Sequence, residues 1–194
     1  MRQTRGMKHL LVTLCLFAVL AQSASASSCP AAPDHSNGLD LLIQDIQNAE
    51  TEGAARDISG QMWGLWADAP NEQAQAILDQ GMSKRSSWNL TGALQDFNRL
   101  VQYCPDYAEG YNQRAFVHFL RHDFESALTD LDRAIVLSPK HIAALSGRAL
   151  SLMGLGRTQE ARDALIDALA LNPWLPERSL IDAGGRLAPA GEDI

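Results

Sequence analysis

The stretch AIVLSPKHIAALSGRAL, Ala134 to Leu150, contains the break that decides the fold. Its first half has helical spacing and ends in Leu-Ser-Pro, and a second helical pattern begins shortly after Pro139. Proline lacks a backbone N–H group and disfavours the helical conformation of the residue before it, so a helix is expected to stop here. A stop that is followed directly by a new start is typical of a boundary between repeated helical units.

The break recurs at a fixed interval. Pro105, Pro139 and Pro173 stand 34 residues apart, and the segments 74–107, 108–141 and 142–175 align without gaps. Residue size repeats at the aligned positions, since the eighth residue is small, the twentieth is alanine and the twenty-fourth is bulky and apolar. These residues are Gly81, Ala115 and Ala149; Ala93, Ala127 and Ala161; and Phe97, Leu131 and Leu165. No segment after residue 39 alternates as a strand does, so the sequence predicts an all-α repeat protein.

A 34-residue period with small residues at positions 8 and 20 and proline at position 32 resembles the tetratricopeptide repeat. The resemblance implies a helical solenoid of three repeats, each a pair of antiparallel helices that cross closely at the small residues. Residues 39–73 are predicted to form a degenerate N-terminal helical hairpin, because they have helical spacing and a proline near the end but lack the small residues. We expect Trp63 and Trp66 of this hairpin to be buried against the first repeat.

The turns inside the repeats contain candidate helix caps. Asn89, Asp123 and Thr158 stand where the second helices are expected to begin, and their side chains can accept hydrogen bonds from free N–H groups. These three residues are therefore predicted as N-caps.

The two ends of the chain differ from the repeats. Residues 1–26 combine a basic start, an apolar run from Leu10 to Ala21 and the small residues Ala24-Ser25-Ala26, which is the layout of a cleavable secretory signal peptide. The apolar run is shorter than the roughly twenty residues that span a membrane. Residues 27–38 are predicted to form an extended arm, and residues 176–194 a short cap on the repeat stack followed by a disordered tail.

Two cysteines remain once residues 1–26 are removed. In an oxidising compartment Cys29 and Cys104 most simply form one disulfide that ties the arm to the repeats. Two alternatives stay open: Cys29 carries a lipid and Cys104 is free, or both thiols are free. The lipidation signal is weak, because Ala26 stands where a lipobox has leucine.

The charge of the chain argues against two classes of partner. The formal net charge is −7, and loss of residues 1–26, which contain three basic and no acidic residues, takes it to −10. An acidic domain repels nucleic acid and anionic membrane surfaces at long range. We therefore expect neither a nucleic acid nor an anionic membrane surface as a partner. Because the apolar run from Leu10 to Ala21 lies in residues 1–26, we also expect no membrane span in the mature chain.

Patterns for catalysis or metal binding are weak. His118 and His122 are four residues apart, but the repeat register places His118 near a helix end and His122 in a turn, with no third ligand nearby. Gly154-Leu155-Gly156 lacks the preceding strand and the lysine of a phosphate-binding loop. The chain is predicted to have no enzymatic activity, no metal and no cofactor.

The resemblance implies a binding surface instead. In this family the first helices of successive repeats line a concave groove, through positions 2, 5, 9, 12 and 13 of each unit. Carried over by register, the groove residues predicted to hold a partner are Met82, Asn112, Phe116, Phe119, Leu120, Leu150 and Met153. Aromatic and methionine side chains on one strip suit an extended peptide or an amphipathic helix, unless a segment of the same chain fills the groove.

One binding mode of the family is not expected. Its clamps for chaperone C-termini use Lys and Asn at positions 5 and 9 of one unit, and Lys and Arg at positions 2 and 6 of a later unit. This sequence has Leu78, Met82, Ala143 and Gly147 at those positions, and only Asn112 resembles a clamp residue.

Together these features predict a non-catalytic adaptor that holds a protein or peptide partner. The chain is similar to signal-peptide-bearing repeat proteins of Gram-negative bacteria, which implies a place in the cell envelope, most simply the periplasm. The alternative is a lipid-anchored accessory lipoprotein of envelope assembly, with Cys29 acylated.

Overall fold

A computed structural model describes residues 29–189, and the predicted signal peptide and residues 190–194 lie outside this range. The described residues form eight α-helices and one short 3₁₀ helix, with no strand among them. The helices are α1 (Ser36–Gln47), α2 (Glu52–Trp66), α3 (Glu72–Ser86), α4 (Leu90–Tyr103), α5 (Ala108–Leu120), α6 (Phe124–Leu137), α7 (Ile142–Gly154) and α8 (Thr158–Leu171), followed by the 3₁₀ helix Pro176–Leu180. The all-α fold predicted from the sequence is confirmed.

The pairs α3–α4, α5–α6 and α7–α8 are the three repeats, and each pair packs against the next. All nine residues that recur at positions 8, 20 and 24 are buried, because the two helices of each pair cross at these positions. Residue size is matched within a pair. Repeat 1 combines Gly81 with the ring of Phe97, whereas the other two repeats combine alanine with leucine. A Cβ on Gly81 would lie 2.5 Å from Cε1 of Phe97, so the larger side chain requires glycine opposite it.

The turns inside the repeats share one backbone conformation. Trp88, His122 and Gly156 stand 34 residues apart and have φ angles of 59°, 59° and 74°. Glycine adopts this left-handed conformation freely, whereas tryptophan and histidine adopt it at a cost. The residue that follows is the N-cap: Asn89 accepts a hydrogen bond from Gly92 N at 3.0 Å, and Asp123 accepts one from Ser126 N at 3.3 Å.

The cap predicted at Thr158 is wrong. The period places the cap of α8 at Arg157, which makes no side-chain cap hydrogen bond, and Thr158 is the first residue of the helix. Its hydroxyl instead donates to the carbonyl oxygen of Gly156.

The N-terminal hairpin, α1 and α2, does not stack on repeat 1 as a fourth unit. Its buried side chains, among them Ile43, Ile46 and Met62, form one cluster with Ile142 at the start of α7 and with the segment that follows α8. A hydrogen bond joins segments that are similarly far apart in the sequence, since Gln47 Nε2 of α1 donates to Ala170 O of α8 at 2.7 Å. The hairpin therefore lies along the edge of the stack where the first helices of the repeats begin.

This placement corrects the expectation for the two tryptophans. Trp63 is 45% exposed. The Trp66 ring stacks on His141 at the boundary of repeats 2 and 3, with ring centroids 4.4 Å apart. Neither side chain is buried against repeat 1, because the hairpin crosses the stack edge instead of extending the stack. α1 also begins at Ser36, so the extended arm is shorter than predicted.

The two ends of the described chain are both attached to the repeats, the arm by a disulfide and the C-terminal segment by apolar packing. A disulfide joins Cys29 to Cys104 at the end of α4, with Cα atoms 5.1 Å apart. After α8, Leu180 and Ile181 pack against repeat 3 as the predicted cap does, and Leu187 is fully buried beside them. The expectation of disorder after this cap is therefore wrong for residues up to 189.

Candidate functional site

A cavity of about 380 Å³ lies on the concave side of the repeats. Its walls come from the first helices α3, α5 and α7, from α2, from one residue of α6, and from the segment that follows α8. We call it the groove cavity. Its lining residues are Trp63, Arg85, Asn112, Gln113, Ala115, Phe116, Phe119, Leu131, Ala143, Ser146, Gly147, Leu150, Ser151, Leu175, Pro176 and Glu177.

Four of the seven predicted groove residues line this cavity. They are Asn112, Phe116, Phe119 and Leu150. Phe116 is 44% exposed, which is unusual for a large apolar side chain in the middle of a fold and leaves its ring facing the groove. The four residues come from α5 and α7, so the cavity is centred on repeats 2 and 3.

The other three predicted residues do not line the cavity. Met82 is partly buried against the core of repeat 1, beside the fully buried Leu78. Met153 packs in the same way on the α7–α8 core. Leu120, the last residue of α5, is partly buried away from the cavity. The methionines fill gaps between helices, which their flexible side chains do readily.

Several lining residues come from outside the repeats. Trp63 reaches the cavity from α2, and Leu175, Pro176 and Glu177 close its far end. The spacing of Trp63 and Trp66 indicates a shared helix face, but the sequence contains no signal for the distant segment that this face contacts. These walls narrow the groove without filling it.

Arg85 is the basic residue of the cavity. Its guanidinium carbon lies 4.7 Å from the centre of the Phe116 ring, a cation–π contact. One guanidinium N–H donates to Oε1 of Gln113. Burial lowers the pKa of the Arg85 guanidinium, and the negative charge of Glu109 opposes this shift. Burial has this effect because it removes water from around the charged guanidinium.

A buried polar network lies below Arg85. Both side chains of the pair Glu109 and His141 are 1% exposed, and Nε2 of the imidazole lies 2.8 Å from Oε2 of the carboxylate. Asn112 and Gln113 also donate to this carboxylate. The backbone N–H of Ala144 donates to Nδ1 of His141, which leaves Nε2 as the atom that carries the ring proton. Both carboxylate oxygens of Glu109 are thus engaged.

A second cavity of about 360 Å³ lies on the other side of this network. It is lined by residues of the arm, the hairpin and the boundary turns of the repeats. Its charged groups are already paired in part, since His35 contacts Asp68 at 2.7 Å and Lys140 contacts Asp40 at 2.6 Å. This cavity therefore lies between the hairpin and the stack of repeats.

The histidine pair considered for metal binding does not form a site. His118 lies in the last turn of α5 and contacts Asp123 at 3.1 Å, whereas His122 is exposed in the following turn. Within residues 29–189, no group of three or more His, Cys, Asp or Glu side chains is placed to hold a metal ion. In the same range no helix is long and apolar enough to cross a membrane.

Comparison with known proteins gives both relatives and structural neighbours. No protein-family model matches the chain. The chain is 32% identical over 143 residues to tetratricopeptide repeat protein 36 of Xenopus tropicalis, covering 71% of this chain and 68% of that protein. It is 24% identical over 141 residues to a TPR repeat-containing protein of Rhizobium etli, covering 73% and 67%. The match to tetratricopeptide repeat protein 36 of Mus musculus covers 49% of the length of that protein.

Two of the structural neighbours are tetratricopeptide repeat domains in complexes. The first such domain of Spaghetti (RPAP3), bound to the HSP90 peptide SRMEEVD, superposes with a TM-score of 0.52 at 21% identity, covering 53% of this chain and 82% of that one. The TPR2B domain of yeast Sti1, in its Hsp70 complex, gives 0.52 at 19% identity, covering 56% and 87%. At such identities the likeness shows the fold alone. The period, the buried small residues, the helix pairs and these relatives agree, and the chain belongs to the tetratricopeptide repeat family.

Proposed function

We propose that this protein is a non-catalytic adaptor that binds a peptide segment of a protein partner in the groove cavity. The observation that carries the proposal is the half-open cavity with Phe116 and Trp63 at its surface, 44% and 45% exposed. Large apolar side chains that face a groove favour burial by a partner. The structural neighbour that is bound to the HSP90 peptide SRMEEVD supports peptide binding as a use of this fold.

The mode of binding is expected to differ from that of a chaperone clamp. Leu78 is fully buried in the core of repeat 1, and Met82 packs beside it, so neither position offers a polar group to the groove. Ala143 and Gly147 line the cavity but have no charge. The cavity therefore lacks the set of cationic side chains that would clamp the terminal carboxylate of a partner. Side chains of the partner must supply the contacts instead.

The proposal includes export. The layout of residues 1–26 favours a signal peptide, and the pairing of Cys29 with Cys104 is suited to an oxidising compartment such as the periplasm. A sulfur atom that forms a disulfide cannot also form the thioether of a lipoprotein. This favours the soluble exported form over the lipid-anchored alternative.

Export is tested by the mass of the mature protein under non-reducing conditions. A chain that starts at Ser27 and lacks two hydrogen atoms supports cleavage and the disulfide. A chain that starts at Cys29 with an added lipid mass would establish the lipoprotein alternative. The full unprocessed mass would contradict both.

Binding is tested by crosslinking and pull-down with matched variants. Phe116→Glu places a charge in the groove cavity, whereas Val136→Glu places the same charge on α6 at an apolar side chain that is 72% exposed and lies outside the cavity. We expect the wild type and Val136→Glu to capture the same partner and Phe116→Glu to lose it. All proteins must first show the same helical melt. Equal capture by all three proteins, or none by any, would overturn the proposal.

A further inference from the structure

Arg85 differs from the other inter-helix arginines in what it contacts. Arg114 of α5 forms an ion pair with Asp130 at 2.6 Å, and Arg148 of α7 forms one with Asp132 at 2.8 Å. Within residues 29–189, Arg85 contacts no carboxylate at such a distance, and its hydrogen bond goes to the neutral amide of Gln113. It is a half-buried charge at the cavity wall without an opposite charge in contact.

The nearest acid does not supply that charge. Glu109 already accepts hydrogen bonds from Asn112 and Gln113 and contacts His141. Gln113 lies between the two charges, because its carbonyl oxygen accepts from Arg85 while its amide group donates to Glu109. The remaining N–H donors of the Arg85 guanidinium, five in total in an arginine, are therefore available to a ligand.

The far end of the cavity has the opposite character. Oε2 of Glu177 is buried and has no hydrogen-bond partner among the described residues. Glu177 is the acidic residue among those that line the cavity. The charge of Glu177 also repels a carboxylate, which directs any acidic group of the peptide toward Arg85.

The volume limits what fits between these two ends. About 380 Å³ is at the lower end of the roughly 300–1,000 Å³ typical of ligand pockets. Such a space takes one large apolar side chain with its flanking backbone. The rings of Phe116 and Phe119 and the side chain of Leu150 provide the apolar surface for it.

We infer that the groove cavity selects an internal peptide segment with a large apolar side chain next to, or one residue away from, an aspartate or glutamate, and that Arg85 binds this carboxylate. The inference rests on the proposed function, since it names the chemistry of the partner at the same site. Because the chain as a whole is acidic, with a net charge of −7, long-range attraction does not produce this preference. It comes from contact with one guanidinium, which holds a carboxylate through two parallel hydrogen bonds.

The test is selection from a random peptide library displayed with the C-terminus of each peptide fused to the carrier, so that no free terminal carboxylate is present. The bait is the purified protein with its disulfide intact, as wild type, Arg85→Gln, Phe116→Glu and Arg121→Gln. Arg121 is an exposed residue at the end of α5 that does not line the cavity, and its variant controls for the loss of one positive charge.

We expect the wild type and Arg121→Gln to enrich peptides that have the apolar residue beside an acidic one. Arg85→Gln should keep the apolar preference and lose the acidic one, and Phe116→Glu should enrich nothing. Enrichment of apolar peptides without an acidic preference in the wild type would overturn the inference and leave the proposed function standing. No enrichment by the wild type would overturn both.

Affinities of one selected peptide, synthesised with both ends blocked, give the second readout. Fluorescence anisotropy should show about tenfold weaker binding for Arg85→Gln, and the same loss when the acidic residue of the peptide is replaced by its amide. If the two groups contact each other, the combined change should lose little more than either change alone. Losses that multiply would contradict the contact.

Discussion

The three repeats and the N-terminal hairpin are both built from antiparallel helix pairs, but they bury their apolar faces against different neighbours. Each repeat packs against the unit that precedes or follows it in the chain. The hairpin packs against Ile142, Leu171 and Trp174, about 100 residues further along the chain. Asp40 and Lys140, whose side chains are 2.6 Å apart, show the same separation.

This difference explains what each region contributes to the site. Packing between adjacent repeats requires the same residue sizes at the same positions, so it leaves a period in the sequence. Packing across the stack edge requires only that one apolar surface fits another. It therefore leaves no period in the sequence. The repeats provide the concave wall of the groove cavity, and the hairpin adds Trp63 opposite it.

The largest expected effect comes from releasing the hairpin. Cys29→Ser removes a crosslink that spans 75 residues, and such a disulfide stabilises a protein by about 2–4 kcal/mol, chiefly by restricting the unfolded chain. We expect urea unfolding to show a loss of that size. Hydrogen exchange should show faster exchange in α1 and α2, which the arm connects to α4, with protection in α5–α8 retained.

Reduced wild-type protein is the matched control, because it loses the same crosslink without a substitution. It should behave as the variant does. Equal loss of protection in the hairpin and in α5–α8 would contradict the difference between the two regions and show that they unfold as one unit.

The second prediction places the same substitution in both regions. Gly81→Ala puts a methyl group against the fully buried Phe97 ring, and such overpacking costs about 1–3 kcal/mol. Gly60→Ala, in the interior of α2, adds a methyl group that meets no atom within 4 Å. It should instead stabilise by roughly 0.5–1 kcal/mol, since alanine favours a helix over glycine.

A double substitution sharpens this prediction. Phe97→Leu together with Gly81→Ala gives repeat 1 the alanine–leucine pair found in the other two repeats. We expect the double variant to be more stable than the sum of the two single losses implies, as measured by a double-mutant cycle in denaturant. Strict additivity would mean that the two side chains do not share one space.

The sequence predicts the repeats well because the residues that determine them are periodic. Proline spacing and residue size locate the helix pairs of residues 74–175, and the register places Asn112, Phe116, Phe119 and Leu150 at the cavity. The register gives only a helix face, so it does not show that the flexible side chains of Met82 and Met153 turn into the core. The position of Trp63 and the burial of Leu187 depend on contacts between distant segments, which no local pattern encodes.

The smallest expected effect lies at the junction of the two regions. The hydroxyl of Tyr107, the residue just before α5, donates to the carbonyl oxygen of Trp66 in the hairpin at 2.9 Å. Burial, followed by the charges of Glu109, Asp68 and Asp79, raises the pKa of Tyr107 well above its ordinary value. Tyr107→Phe should cost about 1 kcal/mol at neutral pH, the contribution of one hydrogen bond.

The pH dependence of this cost tests the junction itself. A raised pKa means that the folded state keeps the proton that the unfolded chain loses above about pH 10, so the stability due to Tyr107 is present below that pH and falls above it. The fall is up to about 1.4 kcal/mol per pH unit, and the phenylalanine variant lacks it, so the difference in unfolding free energy should shrink and then reverse. Other groups titrate equally in both proteins and cancel.

A difference that stays constant across this range would mean that Tyr107 titrates in the folded protein as it does in the unfolded chain. The hairpin would then open often enough to admit water, and the wall that it gives to the groove cavity would be mobile.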